Sequence, residues 1–205
     1  MSEQEPTVFV VDDDPGVADA IRLLLRSVNL PAESFLSATQ FLEAFEPERA
    51  GCLVLDVRMP GMSGLDLHAR LKEMGSTLPI IFVTAHGDVP MAVDAVKAGA
   101  RDFIQKPFRD QDLLDKIQEA LEADAQNRAE QRDLTEIKNR LESLTPRETE
   151  VMKLVVAGMA NKKIARELGI SQRTVEIHRA RVMEKMQVKS VSRLVQLVMK
   201  TDAQP

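Results

Sequence analysis

The sequence predicts an α/β domain with a five-stranded, doubly wound parallel sheet, followed by a helical linker and a small all-α domain. Short runs rich in Val, Ile and Phe alternate five times with longer segments whose apolar residues recur at helical spacing. Parallel neighbouring strands need such crossover helices, because a tight hairpin cannot join them. A change from acidic to basic composition along the chain indicates the second domain.

The elements of the first domain follow in order along the chain. The β-branched and aromatic runs predict strands at Thr7–Val11, Ala32–Phe35, Cys52–Leu55, Ile80–Val83 and Asp102–Gln105. Apolar residues three and four positions apart predict the intervening helices at Val17–Val28, Ala38–Phe45, Leu65–Met74 and Val89–Ala98. A further helix begins at Arg109 and continues to about Ala125.

The composition is typical of a globular protein that remains in the cytoplasm. The 205 residues exceed one typical domain, and 44% hydrophobic with 29% charged residues is enough for real cores. No apolar run approaches the roughly 18 residues of a membrane span, and the first residues lack the basic start of a secretory signal. The single cysteine, Cys52, excludes an intramolecular disulfide or a cysteine zinc cage.

Charge divides the chain into three parts. Residues 1–122 carry a net charge of −10, residues 123–143 carry −1 and residues 144–205 carry +6, which together give the net −5 of the chain. We therefore expect domains at 1–122 and 144–205, joined by a linker at 123–143. A local cationic surface attracts polyanions whatever the total charge, although solvated faces alone can also produce such a split.

Polar and charged residues follow four of the predicted strands. In an open parallel sheet the carboxyl ends of the strands form the binding edge, so these side chains are expected to converge. Three adjacent carboxylates repel one another unless a cation lies among them, which favours a hard divalent ion with oxygen ligands, Mg²⁺ or Mn²⁺. The residues at these ends are Asp12, Asp13, Asp14, Asp56, Thr84 and Lys106.

These residue types suit a phosphoryl group. A metal ion and Lys106 can neutralise phosphoryl oxygens, the hydroxyl of Thr84 can donate to one, and a carboxylate can attack phosphorus. Each residue also has a plain structural interpretation: Asp14 before Pro15 is better explained as a helix cap, and Lys106 or Thr84 alone would be a surface or turn residue. The coincidence of four strand ends favours the functional interpretation.

Four segments contain these strand ends: VVDDD at 10–14, LDVRMPGMSG at 55–64, VTAHGD at 83–88 and DFIQKPF at 102–108. Together they resemble the receiver domain of bacterial two-component response regulators, over about residues 6–122. The resemblance implies that Asp56 accepts a phosphoryl group from a sensor histidine kinase. It further implies a metal held by Asp12, Asp13, Asp56 and the carbonyl of Arg58, phosphoryl contacts from Thr84 and Lys106, an aromatic switch at Phe103, and a cis Lys106–Pro107 bond.

The linker has one apolar face. Leu134, Ile137, Leu141 and Leu144 recur at spacings of three, four and three, which predicts a helix. The pattern fits one seam of a coiled coil or one amphipathic face, and two heptads are too few to distinguish them.

The basic end of the chain contains start and stop signals for four helices. Thr145 and Glu148 form a capping box that begins the first. Gly169 supplies the left-handed stop of the second, and Ser171 caps the third. Two short helices joined by a tight glycine-containing turn in a region of charge +6 indicate a helix-turn-helix at about 161–180. The four helices are expected at about 146–158, 161–168 and 172–186, and from 190 onward.

The third of these helices has two faces. Val175, His178, Val182 and Met186 lie on one side, so His178 is expected in the core rather than as a ligand or base. The opposite side includes Ile177, an unusual residue for a solvated face that suits contact with a thymine methyl, and Glu176, which suits a cytosine amino group. The other residues of that side are Arg173, Ala180 and Arg181.

The stretch LTPRETEVMKLVVAGMANKKIARELGISQRTVEIHRARVMEKM at 144–186 resembles the four-helix DNA-binding domain of NarL/FixJ (LuxR-type) regulators. The resemblance implies that the third helix enters the major groove and that the fourth makes dimer contacts. The expected DNA-contacting residues are Lys162, Lys163, Arg173, Thr174, Glu176, Ile177, Arg179, Ala180 and Arg181. The expected dimer contacts are Val191, Leu194, Val195 and Val198.

The whole chain is therefore interpreted as a transcriptional regulator, not an enzyme. A sensor histidine kinase phosphorylates Asp56, the receiver changes conformation, and the basic domain is released or dimerises on double-stranded DNA, where RNA polymerase is a further partner. The alternative is a haloacid-dehalogenase-like phosphohydrolase with Asp12 as nucleophile, because Asp12 and Asp14 have the required DxD spacing. Pro15-Gly16 in place of the expected Gly-Thr, and the DNA-binding segment, argue against it.

Overall fold

The computed structural model describes residues 5–85, 93, 94, 96, 97 and 99–202, which form two compact units. The first unit ends at Arg128 and the second begins at Ala129. Most of the predicted helix Val89–Ala98 lies outside the described residues, although the four described positions from 93 to 97 are helical. Within the described chain, no helix is both long enough and apolar enough to cross a membrane.

The first unit is the predicted doubly wound α/β fold. A single sheet has five parallel strands in the order β2-β1-β3-β4-β5. The strands are β1 Thr7–Val11, β2 Ala32–Phe35, β3 Gly51–Asp56, β4 Ile80–Thr84 and β5 Asp102–Gln105. The described helices that belong wholly or partly to this unit are α1 Pro15–Ser27, α2 Ala38–Ala44, α3 Gly64–Glu73 and α4 Asp110–Glu142.

The sheet separates two cores, because successive strand residues point to opposite faces. One face packs against α1 and the first half of α4, and includes Val10, Val54 and Leu113. The other packs against α2 and α3, and includes Phe9, Leu55 and Phe82. The central strands β1, β3 and β4 are buried along their whole length, which explains their continuous apolar sequences.

Cys52 lies in the first of these cores, as its apolar neighbours predict. Burial and the charge of Asp124 raise the pKa of its thiol to about 12. The thiolate, which is the form that binds metals and reacts, is therefore strongly disfavoured.

The second unit is helical and includes the second half of α4. Its other helices are α5 Pro146–Val156, α6 Asn161–Leu168, α7 Gln172–Lys185 and α8 Val191–Asp202. Ile137 and Leu144 are buried among Val151, Ile164 and other residues of these helices, and Leu141 packs against the same core. The apolar face of the linker is thus an amphipathic face covered within its own unit, so it is not a free coiled-coil seam.

Helix ends in the second unit follow the predicted caps. The side chain of Thr145 accepts from the backbone N–H of Glu148, whose carboxylate accepts from the N–H of Thr145. Gly169 ends α6 in the left-handed conformation with φ of 65°, and Ser171 caps α7. Glu148 is also buried and bonded to the ammonium of Lys185 at 2.7 Å, and these contacts lower the pKa of Glu148 to about 2.

We predict that replacing Glu148 by Gln removes a pH-dependent part of the stability of the second unit. Because the folded pKa of about 2 lies below the ordinary 4.5, the charged carboxylate stabilises the fold above pH 4.5. This contribution is lost as the pH falls from 4.5 towards 2. Urea unfolding of residues 129–205 at several pH values, followed by circular dichroism, measures the difference between wild type and Glu148→Gln.

The difference is expected to be largest near neutral pH and to shrink below pH 4.5. Glu150→Gln is the control, since Glu150 is exposed and forms a surface pair with Arg147. A constant difference over the whole pH range would contradict the prediction.

Candidate functional site

Two buried carboxylates and one ammonium meet at the carboxyl edge of the sheet. The Nζ of Lys106, just beyond β5, donates to Asp12 Oδ2 and to Asp56 Oδ1, each at 2.7 Å. Asp12 follows β1 and is 2% exposed, while Asp56 ends β3 and is 8% exposed. The second oxygen of each accepts a backbone N–H, from Asp14 at 3.0 Å and from Arg58 at 2.7 Å. The structure therefore brings together residues that are up to 94 positions apart.

The electrostatics of this group leave a negative charge uncompensated. Burial raises the pKa of Asp56, the bonds from Lys106 and the Arg58 N–H oppose the rise, and the charge of Asp12 adds to it. For Lys106, burial lowers the pKa, but its bonds to Asp12 and Asp56 outweigh this and leave the pKa raised. Lys106 is thus a firmly held ammonium facing two carboxylates. A site with this imbalance favours a further cation.

Thr84 lies beside this group at the end of β4, and Phe103 lies on the neighbouring strand β5, three residues before Lys106. Thr84 ends β4, is fully buried and donates its hydroxyl to the carbonyl of Ala85 at 3.3 Å. The backbone N–H of Lys106 donates to the carbonyl of Thr84 at 2.8 Å, which fixes the lysine next to the threonine. Phe103 is half-buried on β5 and packs against the core on the α2 and α3 face. The Lys106–Pro107 bond is cis, as the family resemblance implies.

The oxygen donors fit a hard divalent ion only in part. Asp12 and Asp56 offer buried carboxylates beside an uncompensated negative charge, which suits Mg²⁺. Asp13 is exposed, and no group of three or more His, Cys, Asp or Glu side chains is close enough to hold a metal within the described part of the chain. Asp14 is a helix cap as predicted, since it accepts from the N–H of Gly16 at 2.8 Å.

Gly64 is a site residue that the sequence reasoning missed. A Cβ atom at this position would lie 2.1 Å from the carbonyl oxygen of Asp56 and 3.1 Å from the side chain of Leu55. The N–H of Gly64 also donates to the carbonyl of Val57 at 3.0 Å. The first turn of α3 therefore lies against the end of β3. The only signal in the sequence is a glycine directly after Ser63, the residue that caps α3.

The second unit presents the predicted recognition face on α7. Ile177 is 47% exposed, and Arg173, Glu176, Ala180 and Arg181 are also exposed. Lys162 and Lys163 are exposed on α6. Two predicted DNA contacts are partly engaged within the unit, because Thr174 is bonded to the cap Ser171 and Arg179 donates to Asn161 Oδ1 at 2.6 Å.

The opposite face of α7 is buried as predicted. Val175, Val182 and Met186 lie in the core, and His178 is half-buried beside them. The Nδ1 atom of His178 is buried and has no hydrogen-bond partner among the described residues. The structure thus places His178 on the packed face of α7.

One of the predicted dimer contacts on α8 is a core residue. Leu194 is fully buried among the helices of its own unit, because it lies on the face of α8 that packs against α5 and α7. Its side chain cannot meet a partner without unpacking the domain, so this part of the prediction is corrected. Val191, Val195 and Val198 are half-buried, which leaves part of each side chain accessible.

Known proteins resemble the chain in both units. Residues 8–118 match the family described as the response regulator receiver domain, and residues 142–198 match the luxR family of bacterial regulatory proteins. The response regulator protein TmoT of Ectopseudomonas mendocina is 48% identical over 197 residues, covering 96% of this chain and 90% of that protein. The transcriptional regulatory protein FixJ of Bradyrhizobium diazoefficiens is 45% identical over 196 residues, covering 94% of each.

Solved structures give the same result. The low-resolution structure of the response regulator StyR has a TM-score of 0.89 and 48% identity, covering 96% of this chain and all of that one. The chain belongs to the response regulators that carry a receiver domain and a LuxR-type DNA-binding domain. Within that class it falls in the NarL/FixJ group, as its similarity to two FixJ proteins indicates. The phosphohydrolase alternative has no support in these relatives.

We predict that Gly64→Ala disturbs the acidic site while leaving its charged residues intact. The added methyl group requires the Asp56 carbonyl to shift, because 2.1 Å is far below a van der Waals contact. Overpacking of this kind costs about 1–3 kcal/mol. We expect both the midpoint temperature of thermal unfolding and the rate of labelling by a phosphoryl donor to be lower than in the wild type. Gly61→Ala is the comparison variant: its Cβ would meet nothing within 4 Å, but its φ of 78° strains any side chain, so it lowers stability without a clash against Asp56. An equal loss of labelling in the two variants would contradict the prediction.

Proposed function

We propose that Asp56 is the phosphoacceptor of this regulator. The observation that carries the proposal is its position: a buried carboxylate at the end of β3, bonded to Lys106 and beside Thr84. Asp12 is similarly buried and similarly bonded, to Lys106 and to the N–H of Asp14, so the two carboxylates differ in place rather than in hydrogen bonding. Asp12 lies in the loop that caps α1, whereas Asp56 ends a strand that pairs with β4, the strand that ends at Thr84. Asp56 is the better nucleophile because it ends the central strand next to both phosphoryl-binding candidates.

The reaction transfers a phosphoryl group from a phosphohistidine of a sensor kinase to a carboxylate oxygen of Asp56. The P–N bond breaks, an O–P bond forms, and the electron pair returns to the imidazole. Lys106 then exchanges a carboxylate oxygen for a phosphoryl oxygen, and the Thr84 hydroxyl leaves Ala85 to donate to another. Both changes convert existing hydrogen bonds into bonds to the new group, so they can bias the receiver between two conformations.

Mg²⁺ is the cofactor that suits this reaction. Asp12, Asp56 and the carbonyl of Arg58 would hold it, and Asp13 would join them by turning inward from its exposed position. The ion, when bound, offsets the negative charge that accumulates as a phosphoryl group approaches the carboxylates.

We predict that Asp56→Asn abolishes covalent labelling. Incubation of the full chain with a small phosphoryl donor and Mg²⁺ is expected to give a label that survives acid and is released by hydroxylamine, as an acyl phosphate is. Asp12→Asn keeps the acceptor carboxylate and is expected to weaken the labelling and its dependence on Mg²⁺.

The same pair of variants tests the rejected alternative. Label that persists in Asp56→Asn and disappears in Asp12→Asn would mean that Asp12 is the nucleophile. Label that disappears only in Asp56→Asn supports the proposed acceptor.

We also propose that the second unit binds double-stranded DNA through α7. The support is the exposed face that contains Glu176, Ile177 and Ala180, flanked by Arg173 and Arg181. The first three would meet base edges, and the arginines, with Lys162 and Lys163, would contact phosphates. Thr174 and Arg179 would assist at the edge of the groove. Such a regulator acts in the cytoplasm, where it meets chromosomal DNA.

Phosphorylation is proposed to act through dimerisation on DNA, with release of the DNA-binding unit as the accompanying change. The accessible parts of Val191, Val195 and Val198 on α8 are the proposed dimer contacts. A dimer places two recognition helices on one duplex, which doubles the contacts and favours a two-fold symmetric operator. Contact with RNA polymerase would follow from the same placement.

We predict that DNA binding by the unphosphorylated chain is weaker than binding by the separate DNA-binding unit. That unit is best begun at Ala129, because Ile137 and Leu141 are part of its packing. Affinity is expected to fall steeply with salt, and loss of Lys162 or Lys163 lowers the slope by roughly 0.9 for each phosphate contact. Titration of labelled operator DNA at several salt concentrations measures both effects.

Base preference distinguishes residues that contact bases from residues that contact phosphates. Substitution of Glu176 or Ile177 is expected to change the preferred base pairs by about 1–3 kcal/mol each, with little effect on the salt slope. Equal binding by the unmodified chain and by residues 129–205 would show that the receiver does not inhibit the DNA-binding unit.

A further inference from the structure

The first unit ends in a buried ionic contact whose two charged residues, Asp124 and Arg128, lie outside both matched family ranges. The Nε atom of Arg128 donates to Asp124 Oδ2 at 2.8 Å. The same carboxylate oxygen accepts the backbone N–H of Gly51 at 2.9 Å. The other guanidinium nitrogens donate to three backbone carbonyls in the loop before β3, those of Pro47, Glu48 and Arg49. We call Asp124, Arg128 and these loop groups the latch.

The latch is a buried, multiply hydrogen-bonded contact rather than an ion pair on the surface. Asp124 is 1% exposed and the side chain of Arg128 is 16% exposed. The planar guanidinium bridges a carboxylate and three carbonyls at once, which a lysine cannot do. One oxygen, Asp124 Oδ1, is buried without a hydrogen-bond partner among the described residues. A buried polar atom left in this way makes the contact less stable than a fully hydrogen-bonded one.

The backbone at the other side of the latch is constrained. Gly51 has φ of 155°, and a Cβ atom there would lie 1.9 Å from the carbonyl oxygen of Thr7. Gly51 is also the first residue of β3, and Asp56 is the last. The strand β3 therefore begins with the N–H of Gly51, which donates to Asp124, and ends with the carboxylate of Asp56, which accepts from Lys106. Along this strand each residue from Gly51 to Leu55 pairs with β1, so the strand is held along this length by its neighbour.

The latch also marks the place where the chain leaves the first unit. Arg128 is its last residue, and α4 continues past it to Glu142. The matched receiver range ends at residue 118 and the matched luxR range begins at 142, so Asp124 and Arg128 lie between them. Contacts of these two residues thus hold the last part of α4 in the first unit against the loop at 47–49.

We propose that Asp124 and Arg128 are positioning residues that couple the state of Asp56 to α4. This inference rests on the proposed function of Asp56 as acceptor. New bonds to a phosphoryl group on Asp56 pull on the end of β3, and the strand transmits the change to the Gly51 N–H. The bond to Asp124 then weakens or tightens, which changes how firmly Arg128 holds α4 to the loop at 47–49. Coupling of this kind is a free energy shared by the two ends of one strand.

The test compares Arg128→Gln with Arg132→Gln in the full chain. Arg132 lies one turn later on the same helix and is exposed, so the two variants lose the same charge. Covalent labelling of Asp56 is measured first, and operator affinity is then measured with and without phosphorylation. Hydrogen exchange of backbone amides at 119–133 is followed in the same two states.

The wild type and Arg132→Gln are expected to show a clear gain in affinity on phosphorylation and a change in exchange at 119–133. In Arg128→Gln the gain is expected to fall by about tenfold, with labelling retained and the exchange change lost. Arg128→Lys, which keeps the charge but not the bridge to three carbonyls, is expected to show an intermediate gain. It serves as the test variant if Arg128→Gln does not fold.

An unchanged gain in affinity in both Arg128 variants, even with lower thermal stability, would overturn the proposal, because a purely structural contact lowers stability without affecting the gain. Absence of exchange changes at 119–133 in the phosphorylated wild type would overturn it as well. Failure of the wild type to become labelled on Asp56 would overturn the proposed function itself, a result that the labelling step shows separately.

Discussion

The ammonium of Lys106 between two buried carboxylates is the interaction on which the receiver site depends. Asp12 directly follows β1 and Asp56 ends the adjacent strand β3, and burying carboxylates is costly unless a cation is paired with them. Lys106 supplies one charge for two, so the site remains short of positive charge. Such an imbalance would destabilise a hydrophobic core, whereas at the carboxyl edge of the sheet it favours a further cation, in keeping with the proposed Mg²⁺ site.

Glu148 in the second unit shows how the same chemistry produces a different result. Its carboxylate is as deeply buried as Asp12, but it accepts the backbone N–H of Thr145 and the ammonium of Lys185, with no second carboxylate nearby in the hydrogen-bond network. These bonds lower the pKa of Glu148 to about 2, whereas burial dominates at Asp56 and raises its pKa. A fully compensated carboxylate holds a helix end and a neighbouring helix in place. An undercompensated one can react.

The sequence predicted features that depend on local spacing or on strand ends. Parallel strands align their carboxyl ends, so the sequence alone predicts that Asp12, Asp56, Thr84 and Lys106 lie together. The caps at Asp14 and Thr145 follow from residues two or three positions apart, and the exposed face of α7 follows from helical periodicity alone. These features are the ones in which geometry is fixed by secondary structure.

Features that depend on the packing of particular side chains or on contacts with backbone atoms were not predicted. Leu194 and Val195 are neighbours with similar side chains, and only the packing of α8 shows which one is buried. The close approach of Gly64 to Asp56 and the contact of Arg128 with the loop at 47–49 involve backbone atoms, which carry no residue-specific signal. The domain boundary at residue 144 remains a prediction. It assigns Ile137 and Leu141 to the linker, although both pack in the core of the second unit.

The helix α4 connects these observations, because its two halves belong to different cores. Leu113, Ile117 and Ala120 pack against the sheet, while Ile137 and Leu141 pack with the helices of the DNA-binding unit. Between the two sets lies a polar stretch in which Asp124 and Arg128 make the last buried contacts with the receiver. A helix with apolar anchors at both ends resists a change at either end, since moving it exposes apolar surface. Rearranging the polar latch in the middle exposes less apolar surface than moving either anchor. The segment around Arg128 is therefore where the proposed coupling between Asp56 and α4 would act.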